Sequence, residues 1–247
     1  MTRVRSPALE STTTDFSVSR RSLARTAGVL YLIVVLAGTF SIAYVPSQLF
    51  VRGDAAATVA NIVAQETLYR QGIVAGFVCY VAFLLLPLAL YRLLHPVDKR
   101  AAVLMVALAA VSVPLAFVNL GHRLDVLTLL DGADHLRAFT TGQINAMVML
   151  SLDAYRNGIL VSEIFWGLWL LPFGYLVFKS GLLPRILGVL LMVGCFGYLA
   201  DVVATLLFPA LSESAGGRLT LPAGIAEIST CLWLLIVGAR ETPQIRS

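Results

Sequence analysis

The amino-acid sequence predicts an all-α fold, a polytopic membrane protein built as a six-transmembrane-helix bundle with short amphipathic helices at its outer surface. Hydrophobic residues make up 58% of the 247 residues and charged residues only 13%, whereas soluble domains carry about 25% charged residues. Apolar segments of about twenty residues are long enough to cross a bilayer as helices. Six such segments are expected, at about residues 23–45, 71–94, 101–121, 158–178, 186–208 and 222–239.

The ends of the chain have a different composition from the spans. Residues 1–19 are rich in Ser, Thr and Arg without apolar periodicity, and are expected to form a disordered cytoplasmic tail. Residues 20–239 would form the membrane domain, and residues 240–247 a second cytoplasmic tail. A cleaved signal peptide is the alternative interpretation of the first span, but its apolar run is longer than a typical signal core and no clear Ala-x-Ala site follows.

The distribution of basic residues predicts that both termini are cytoplasmic, because positive charge concentrates in cytoplasmic loops. The same distribution explains the net charge of +4 without a nucleic-acid partner, since no single element gathers the basic residues. The lipid bilayer is therefore the expected surrounding, and the oligomeric state stays open. On the side of the termini lie Arg3, Arg5, Arg20, Arg21, Arg25, Arg92, Lys99, Arg100, Lys179, Arg185, Arg240 and Arg246, against Arg52, Arg70, Arg123, Arg137, Arg156 and Arg218 on the other.

Two segments between the spans are expected to lie as helices at the outer surface. Asp54 is a suitable N-cap for a short helix in which Val59 and Ile62 share one face. The segment from His135 to Leu152 is mixed in polarity, and its apolar run is too short to span. We therefore expect both segments to cap the membrane domain from outside.

The fourth span carries a single charge, Glu163, within about twenty residues. A carboxylate is costly in hydrocarbon, so it is expected to face protein or water. Gly167 and Gly174 fall on the same helical face as Glu163, because steps of four and eleven residues return near one azimuth. This face is therefore predicted to pack closely against another helix.

Three acids on three different spans, Glu163, Asp201 and Glu227, predict a carboxylate-rich site in the outer half of the bundle. Counted by helix rise, each lies about 9–10 Å inside the outer end of its span, and each shares a face with small residues. We therefore expect the three side chains to converge, and any of them is a candidate catalytic group. Further candidate ligand-binding residues are Asn119, His122, Arg123, Arg156 and Tyr198.

The charges of this polar layer do not balance. Arg123 and Arg156 are too few to neutralise the three acids together with Asp125, so at least one acid is expected to be protonated or bound to a cation. His122 with the three acids could supply metal ligands, but no metal-binding spacing is present and the arginines oppose a cation. We expect no metal and no cofactor. The three cysteines, Cys79, Cys195 and Cys231, are interpreted as buried free thiols.

The sequence is compatible with three functional classes. The first is a protein that binds or transports a small or lipid-like ligand, and the second is an intramembrane enzyme that acts on a lipid or isoprenoid by acid–base chemistry. The third is a structural or regulatory membrane partner, in which the acids only tie helices together through contacts of about 0.6–2 kcal/mol. A closed pocket lined by aromatic residues would favour an enzyme, a route to the cytoplasm would favour transport, and a filled interior would favour the third class.

Several segments together resemble a known family. They are Arg25–Tyr31, Arg156–Gly158, and the run from Phe165–Gly174 through Ser180–Gly188. These segments are similar to the bacterial integral membrane proteins described as a domain of unknown function, DUF 4386, and the resemblance extends over about residues 20–239. It implies a six-span protein of the bacterial plasma membrane. It supplies no established activity and no catalytic residue.

Overall fold

The computed structural model of the chain describes residues 20–240, apart from the side chain of Glu213. The tails expected at residues 1–19 and 241–247 lie outside these residues. Within them the chain is helical, with a π-helical segment at Thr39–Tyr44 and a 3₁₀ turn at Asp134–Leu136, and it forms no strand. The α-helices are α1 (Arg20–Gly38), α2 (Val45–Leu49), α3 (Ala55–Ala64), α4 (Glu66–Leu94), α5 (Lys99–Leu130), α6 (Thr141–Ser180), α7 (Arg185–Leu207), α8 (Pro209–Ala215) and α9 (Leu221–Ile236).

Local sequence signals set several helix ends. Asp54 accepts a hydrogen bond from the Ala57 N–H at 2.8 Å and so caps α3, as expected. Thr140 and Gln143 form a capping box that begins α6. Gly181, with φ of +65°, ends α6 in the left-handed conformation that glycine adopts without strain.

Asp98 caps α5 at a turn outside the expected spans. Its Oδ1 atom accepts from the N–H groups of Arg100 and Ala101, at 3.0 and 3.1 Å. The hydrogen bond from Ala101 is the main cause that holds the pKa of the Asp98 carboxyl below its ordinary value. The cap thus stabilises the charged form of the side chain.

Six helices form a closed ring. Going round it, α1 contacts α4, α4 contacts α5, α5 contacts α6, α6 contacts α7, α7 contacts α9, and α9 returns to α1. Because each helix packs mainly on its two neighbours, the space at the centre is enclosed by the whole ring. This central space holds most of the functional candidates described below.

The two ends of the ring differ in their connections. At one end, here called the turn end, short turns join α4 to α5 and α6 to α7; the Arg240 N–H donates to the Leu182 carbonyl at 3.0 Å, and Tyr175 donates to Asp98 at 3.4 Å. At the other, the loop end, lie α2, α3, α8 and the residues between α5 and α6. The half of the ring nearer each end is called the turn half or the loop half.

Aromatic side chains fill the centre of the ring in the turn half. Trp169 and Phe173 stack at 5.2 Å between ring centroids, and Phe83 meets Trp169 edge-on at 5.2 Å. Tyr31 lies 6.3 Å from Trp169 and 6.5 Å from Phe173. Trp169 and Phe173 are fully buried. These four side chains join α1, α4 and α6 across the ring.

Glycines allow α6 and α7 to approach closely, as the shared face of Glu163, Gly167 and Gly174 predicts. A Cβ atom on Gly188 would lie 2.6 Å from the Gly174 carbonyl oxygen, and one on Gly167 would lie 2.9 Å from the Tyr198 Cβ. Backbone therefore meets backbone at this contact, and no larger residue fits without a shift of the helices.

The outer surface of the ring is that of a multi-pass membrane protein. Five helical stretches, Arg20–Leu49, α4, α5, α6 and α7, are long and apolar enough to cross a membrane. Large apolar side chains are exposed on all six ring helices, which a soluble protein would avoid. At 16 residues, α9 rises about 24 Å, short of the hydrocarbon core of about 30 Å. The described residues thus show five candidate spans and a shorter sixth ring helix.

The segment expected to form a separate outer helix at His135–Leu152 is organised differently. It contributes a 3₁₀ turn and then the first turns of α6, which continues for 40 residues to Ser180. The capping box at Thr140 begins the helix early, and no residue interrupts it before the apolar run. Likewise α5 continues to Leu130, beyond the span end expected near residue 121.

Candidate functional site

Glu227 lies inside the ring between two tyrosines. The Tyr31 hydroxyl donates to its Oε1 atom at 3.1 Å, and the Tyr198 hydroxyl donates to its Oε2 atom at 3.2 Å. Each oxygen of the Glu227 carboxyl group therefore accepts one hydrogen bond from a tyrosine hydroxyl. The three side chains come from α1, α7 and α9, so folding of the whole ring is needed to assemble them.

A cavity of about 240 Å³ adjoins this carboxylate and is called the Glu227 cavity. Its floor toward the turn end consists of the aromatic rings of Tyr31, Phe83 and Trp169. From there it extends along α1 to Ile42. The remaining lining is mostly apolar and comprises Val34, Val35, Gly38, Thr39, Cys79, Tyr80, Trp166, Tyr198, Gly224 and Ile228. The cavity thus combines one carboxylate with six aromatic rings.

Glu163 and Asp201 line a second cavity, of about 480 Å³, called the Glu163 cavity. It lies between α6, α7 and α8, and its rim includes Arg52 and Arg156. The Glu163 Oε2 atom is buried and has no hydrogen-bond partner among the described residues. The structure therefore brings two of the three expected acids to one cavity and places the third, Glu227, in another.

The two arginines expected to balance the acids do not pair with them. Arg156 forms an ion pair with Asp153, one turn before it on α6, with Arg156 Nη2 to Asp153 Oδ1 at 3.1 Å. Its side chain is 79% exposed, because it points to the surface at the loop end. Arg123 is fully buried and donates to the Ser41 carbonyl oxygen at 3.0 Å. Neither guanidinium neutralises Glu163.

Asn119 and His122 occupy different surroundings on α5. Asn119 is buried and donates to the Tyr155 carbonyl oxygen at 2.9 Å, and its amide fills the space that a Cβ atom on Gly158 would take. It therefore fastens α5 to α6. His122 is on the outside, with its Nδ1 atom 3.3 Å from Asp125 Oδ2. Neither residue lines the cavities that hold the three acids.

Among the described residues, no group of three or more His, Cys, Asp or Glu side chains lies close enough to hold a metal ion. The three cysteines of these residues are buried and free. The chemistry that the geometry offers is therefore that of carboxylates, tyrosine hydroxyls, aromatic faces and arginines.

Comparison with known proteins identifies the family. The family model described as a domain of unknown function, DUF4386, matches residues 26–238, which include the whole ring except its first residues. The chain belongs to this family. The Glu227 cavity, the Glu163 cavity and all eight candidate site residues named from the sequence fall inside the DUF4386 region.

An uncharacterized protein from Archaeoglobus fulgidus is 26% identical over 176 residues, which cover 71% of this DUF4386 chain and 88% of the relative. No solved structure matches the chain. The function of this family member is therefore inferred from the geometry of its own residues.

The sequence interpretation missed three residues that the structure brings to the site. Tyr31, Trp166 and Trp169 are not among the candidate site residues named from the sequence, yet all three line the Glu227 cavity. One signal was available in the first span: Tyr31, Gly38 and Ser41 are spaced by seven and three residues and so share a helical face. A face with a phenol, a glycine and a hydroxyl in an apolar helix indicates the side that points inward.

Proposed function

We propose that this chain is a multi-pass membrane protein that binds a small organic cation in the Glu227 cavity. The observation that carries the proposal is the position of Glu227, whose two oxygens are held by Tyr31 and Tyr198 at one wall of an aromatic cavity inside the ring. An aromatic cage with one carboxylate is the arrangement that recognises ammonium groups, because the ring faces attract positive charge.

The size of the cavity defines the ligand further. Drug-sized ligands occupy cavities of about 300–1,000 Å³, and the Glu227 cavity is smaller, at about 240 Å³. It therefore suits a compact amine or quaternary ammonium group with a short apolar part. A bound cation would also offset the negative charge of acids in the spans that Arg123 and Arg156 do not neutralise.

The cavity favours binding over passage through the protein. On its turn-end side, Trp169 and Phe173 are fully buried and stacked, and Leu86 and Leu90 are buried beside them in the same core cluster. A ligand that reaches Glu227 would therefore stop on this aromatic floor. A carrier would need the floor to move, and release of ligand on the opposite side of a vesicle would reveal such movement.

A direct test uses choline as a cationic probe and 3,3-dimethyl-1-butanol as its uncharged analogue, measured by calorimetry on the purified protein in detergent. We expect choline to bind and the analogue not to bind. Glu227→Gln is expected to weaken choline binding roughly ten-fold or more, because it leaves the bound charge without its carboxylate.

The matched control is Glu66→Gln, which removes the same charge from an exposed residue that pairs with Arg70 on the surface of α4. It should bind choline as the unchanged protein does. Equal affinity of the two probes, or equal loss in both variants, would contradict recognition of a cation at Glu227.

An intramembrane enzyme is the second candidate, and a different observation favours it. Glu163 and Asp201 share one cavity, and Glu163 has an oxygen without a hydrogen-bond partner. Two carboxylates in unequal surroundings are the arrangement used for acid–base chemistry. Chemical change of a lipid extract incubated with the protein, lost in Glu163→Gln and kept in Glu227→Gln, would support this candidate over cation binding.

For orientation, we propose six spans in a bacterial plasma membrane, with the turn end and both termini in the cytoplasm. The support is the concentration of basic residues at the turn end, where Arg25, Lys99 and Arg185 belong to the described helices. Labelling of a Ser180→Cys variant in intact cells tests this, since a membrane-impermeant thiol reagent should not reach it. If the reagent labelled this variant in intact cells, the turn end would lie outside the cell and the proposed orientation would be wrong.

A further inference from the structure

Among the described residues, Arg123 is the one charged side chain that is fully buried, and the cation site proposed above does not use it. Its side chain has no exposed surface, although it belongs to a membrane-spanning helix. A charge buried at membrane depth costs several kcal/mol unless it is paired, and such residues are kept for function. The partners of Arg123 therefore decide what it does.

Within residues 20–240, the groups that contact this guanidinium are uncharged. Its Nη2 atom donates to the Ser41 carbonyl oxygen at 3.0 Å and its Nη1 atom to the Ser41 hydroxyl at 3.4 Å. The guanidinium carbon lies 4.2 Å from the centre of the Tyr155 ring. The Nε atom is buried without a hydrogen-bond partner, and no carboxylate among the described residues forms an ion pair with Arg123. Its positive charge is thus held in place but not neutralised.

Arg123 lines a cleft of about 490 Å³ at the loop end, here called the arginine cleft. Arg52 and Arg156 also line it and are exposed, so the cleft reaches the surface. Asp153 is the one acid of the lining, and it pairs with Arg156. Three arginines against one carboxylate leave an excess of two positive charges around the cleft.

The rest of the cleft is apolar. Its walls are formed by Ile42, Pro46, Phe50 and Val51 on the α1–α2 side and by residues of α6 on the other, with Gly53 at the rim. The α6 residues are Met149, Leu152, Tyr155 and Ile159. A charged end beside an apolar wall matches an amphiphile rather than a free ion. The excess of positive charge selects an anion, opposite in sign to the ligand of the Glu227 cavity.

We infer that the arginine cleft binds the anionic headgroup of a membrane amphiphile, a phosphate or carboxylate contacting Arg123, with the acyl part lying along the apolar wall. Arginine suits this task because its planar fork donates two parallel hydrogen bonds to such a group. Ser41 and Tyr155 fix the orientation of the guanidinium before the ligand arrives. Arg52 and Arg156 attract the headgroup at the entrance.

The test is native mass spectrometry of the purified full chain with phosphatidylglycerol as the anionic probe and phosphatidylcholine as the control lipid. The unchanged protein should retain phosphatidylglycerol in preference to phosphatidylcholine. Arg123→Met keeps a long side chain and removes the charge, and it should weaken retention of phosphatidylglycerol roughly ten- to hundred-fold, as expected for loss of hydrogen bonds to a charged group.

A thermal melt of the same variants separates binding from a structural role. Without lipid, Arg123→Met should be at least as stable as the unchanged protein, because it removes a buried charge that nothing neutralises. An Arg123→Met protein that is less stable without lipid but retains phosphatidylglycerol would show that Arg123 only fastens α5 to α1, and would overturn the inference.

Two further variants keep the test decisive if Arg123→Met does not fold. The double change Arg52→Glu and Arg156→Glu reverses the charge at the exposed entrance and should also abolish the preference for phosphatidylglycerol. Arg137→Met removes an arginine that is 79% exposed and paired with Asp134, away from the cleft, and should leave the preference unchanged. A preference that survives the double change would overturn the inference.

Inorganic phosphate distinguishes the two sources of such an anion. It carries the headgroup charge without the apolar part, so it should neither raise the melting temperature at millimolar concentration nor displace phosphatidylglycerol. If phosphate raised the melting temperature as much as phosphatidylglycerol does, the cleft would be a site for a free anion. That result would overturn the inference that the ligand is an amphiphile.

Discussion

The turn half and the loop half of the ring differ in what occupies the space between the helices. In the turn half, stacked aromatic rings and glycine contacts close the interior, and short capped turns join the helices. In the loop half lie two side chains, Arg123 and Glu163, that each have a buried atom without a hydrogen-bond partner among the described residues. Two of the three cavities discussed above also lie there, while the Glu227 cavity rests on the aromatic floor. The tight packing and the proposed binding sites therefore lie in different parts of one bundle, and we expect that each can be changed separately.

The largest expected effect tests the aromatic stack of the turn half. Phe173→Ala should destabilise the protein by about 3–5 kcal/mol, because it leaves a cavity beside Trp169 and Tyr31 in a fully packed interior. Phe196→Ala makes the same change on the outer surface of α7, where Phe196 is 63% exposed, and should change stability little. Melting temperatures in one detergent compare the two, and equal losses would show that the turn half is not the stable half.

The next effect concerns the close contact of α6 and α7. Gly188→Ala should destabilise by about 1–3 kcal/mol, since the new methyl group would meet the Gly174 carbonyl and the Phe178 N–H of the partner helix. Gly121→Ala is the matched control, because nothing lies within 4 Å of a Cβ atom there. The control should be neutral or slightly stabilising. Thermal melts of both variants decide whether this contact is as tight as the distances indicate.

A smaller effect is the dependence of the turn half on pH through Asp98. Its pKa is lowered in the folded protein, so its contribution is complete above the unfolded value of about 3.9 and is lost as the pH falls through the folded value. Melting temperatures measured from neutral pH to pH 3 should therefore fall less steeply for Asp98→Asn than for the unchanged protein. Parallel curves would show that this cap does not depend on its charge.

The smallest effect is expected in the loop half. Arg156→Gln should change the free energy of unfolding by no more than about 1 kcal/mol, because its ion pair with Asp153 is exposed to solvent. A larger loss would be expected if Arg156 neutralised one of the acids of the spans, as the charge count from the sequence implies. A large loss of stability on this change would mean that Arg156 reaches Glu163 after all.

Sequence patterns predicted the helices and much of their packing, because these depend on local signals. Apolar runs marked the ring helices, Asp54 marked the start of α3, and the spacing of Gly167 and Gly174 marked the close face of α6. The early start of α6 was missed, since the mixed polarity after Thr140 hid a continuous helix. A helix that has begun at a good cap continues through residues of mixed polarity, and α6 does so even across Gly142 and Gly158.

The candidate site was less predictable, because its partners are distant in sequence. Tyr31 and Glu227 are 196 residues apart, and nothing in either neighbourhood indicates the other. The charge count suggested that Arg123 and Arg156 would pair with the acids of the spans. Arg156 instead pairs with Asp153, one turn away on its own helix, and Arg123 donates to the backbone carbonyl of Ser41. A count of charges does not consider backbone partners.

The π-helical segment Thr39–Tyr44 connects the two proposed binding sites. Thr39 and Ile42 line the Glu227 cavity, Ile42 also lines the arginine cleft, and Ser41 between them holds Arg123. Wide turns of this kind often occur at functional sites. By thermodynamic linkage, any factor by which a cation at Glu227 changes the affinity of the cleft for an anion is the factor by which the anion changes the affinity for the cation. One segment of six residues would then make the lipid surroundings of the protein a regulator of its cation site.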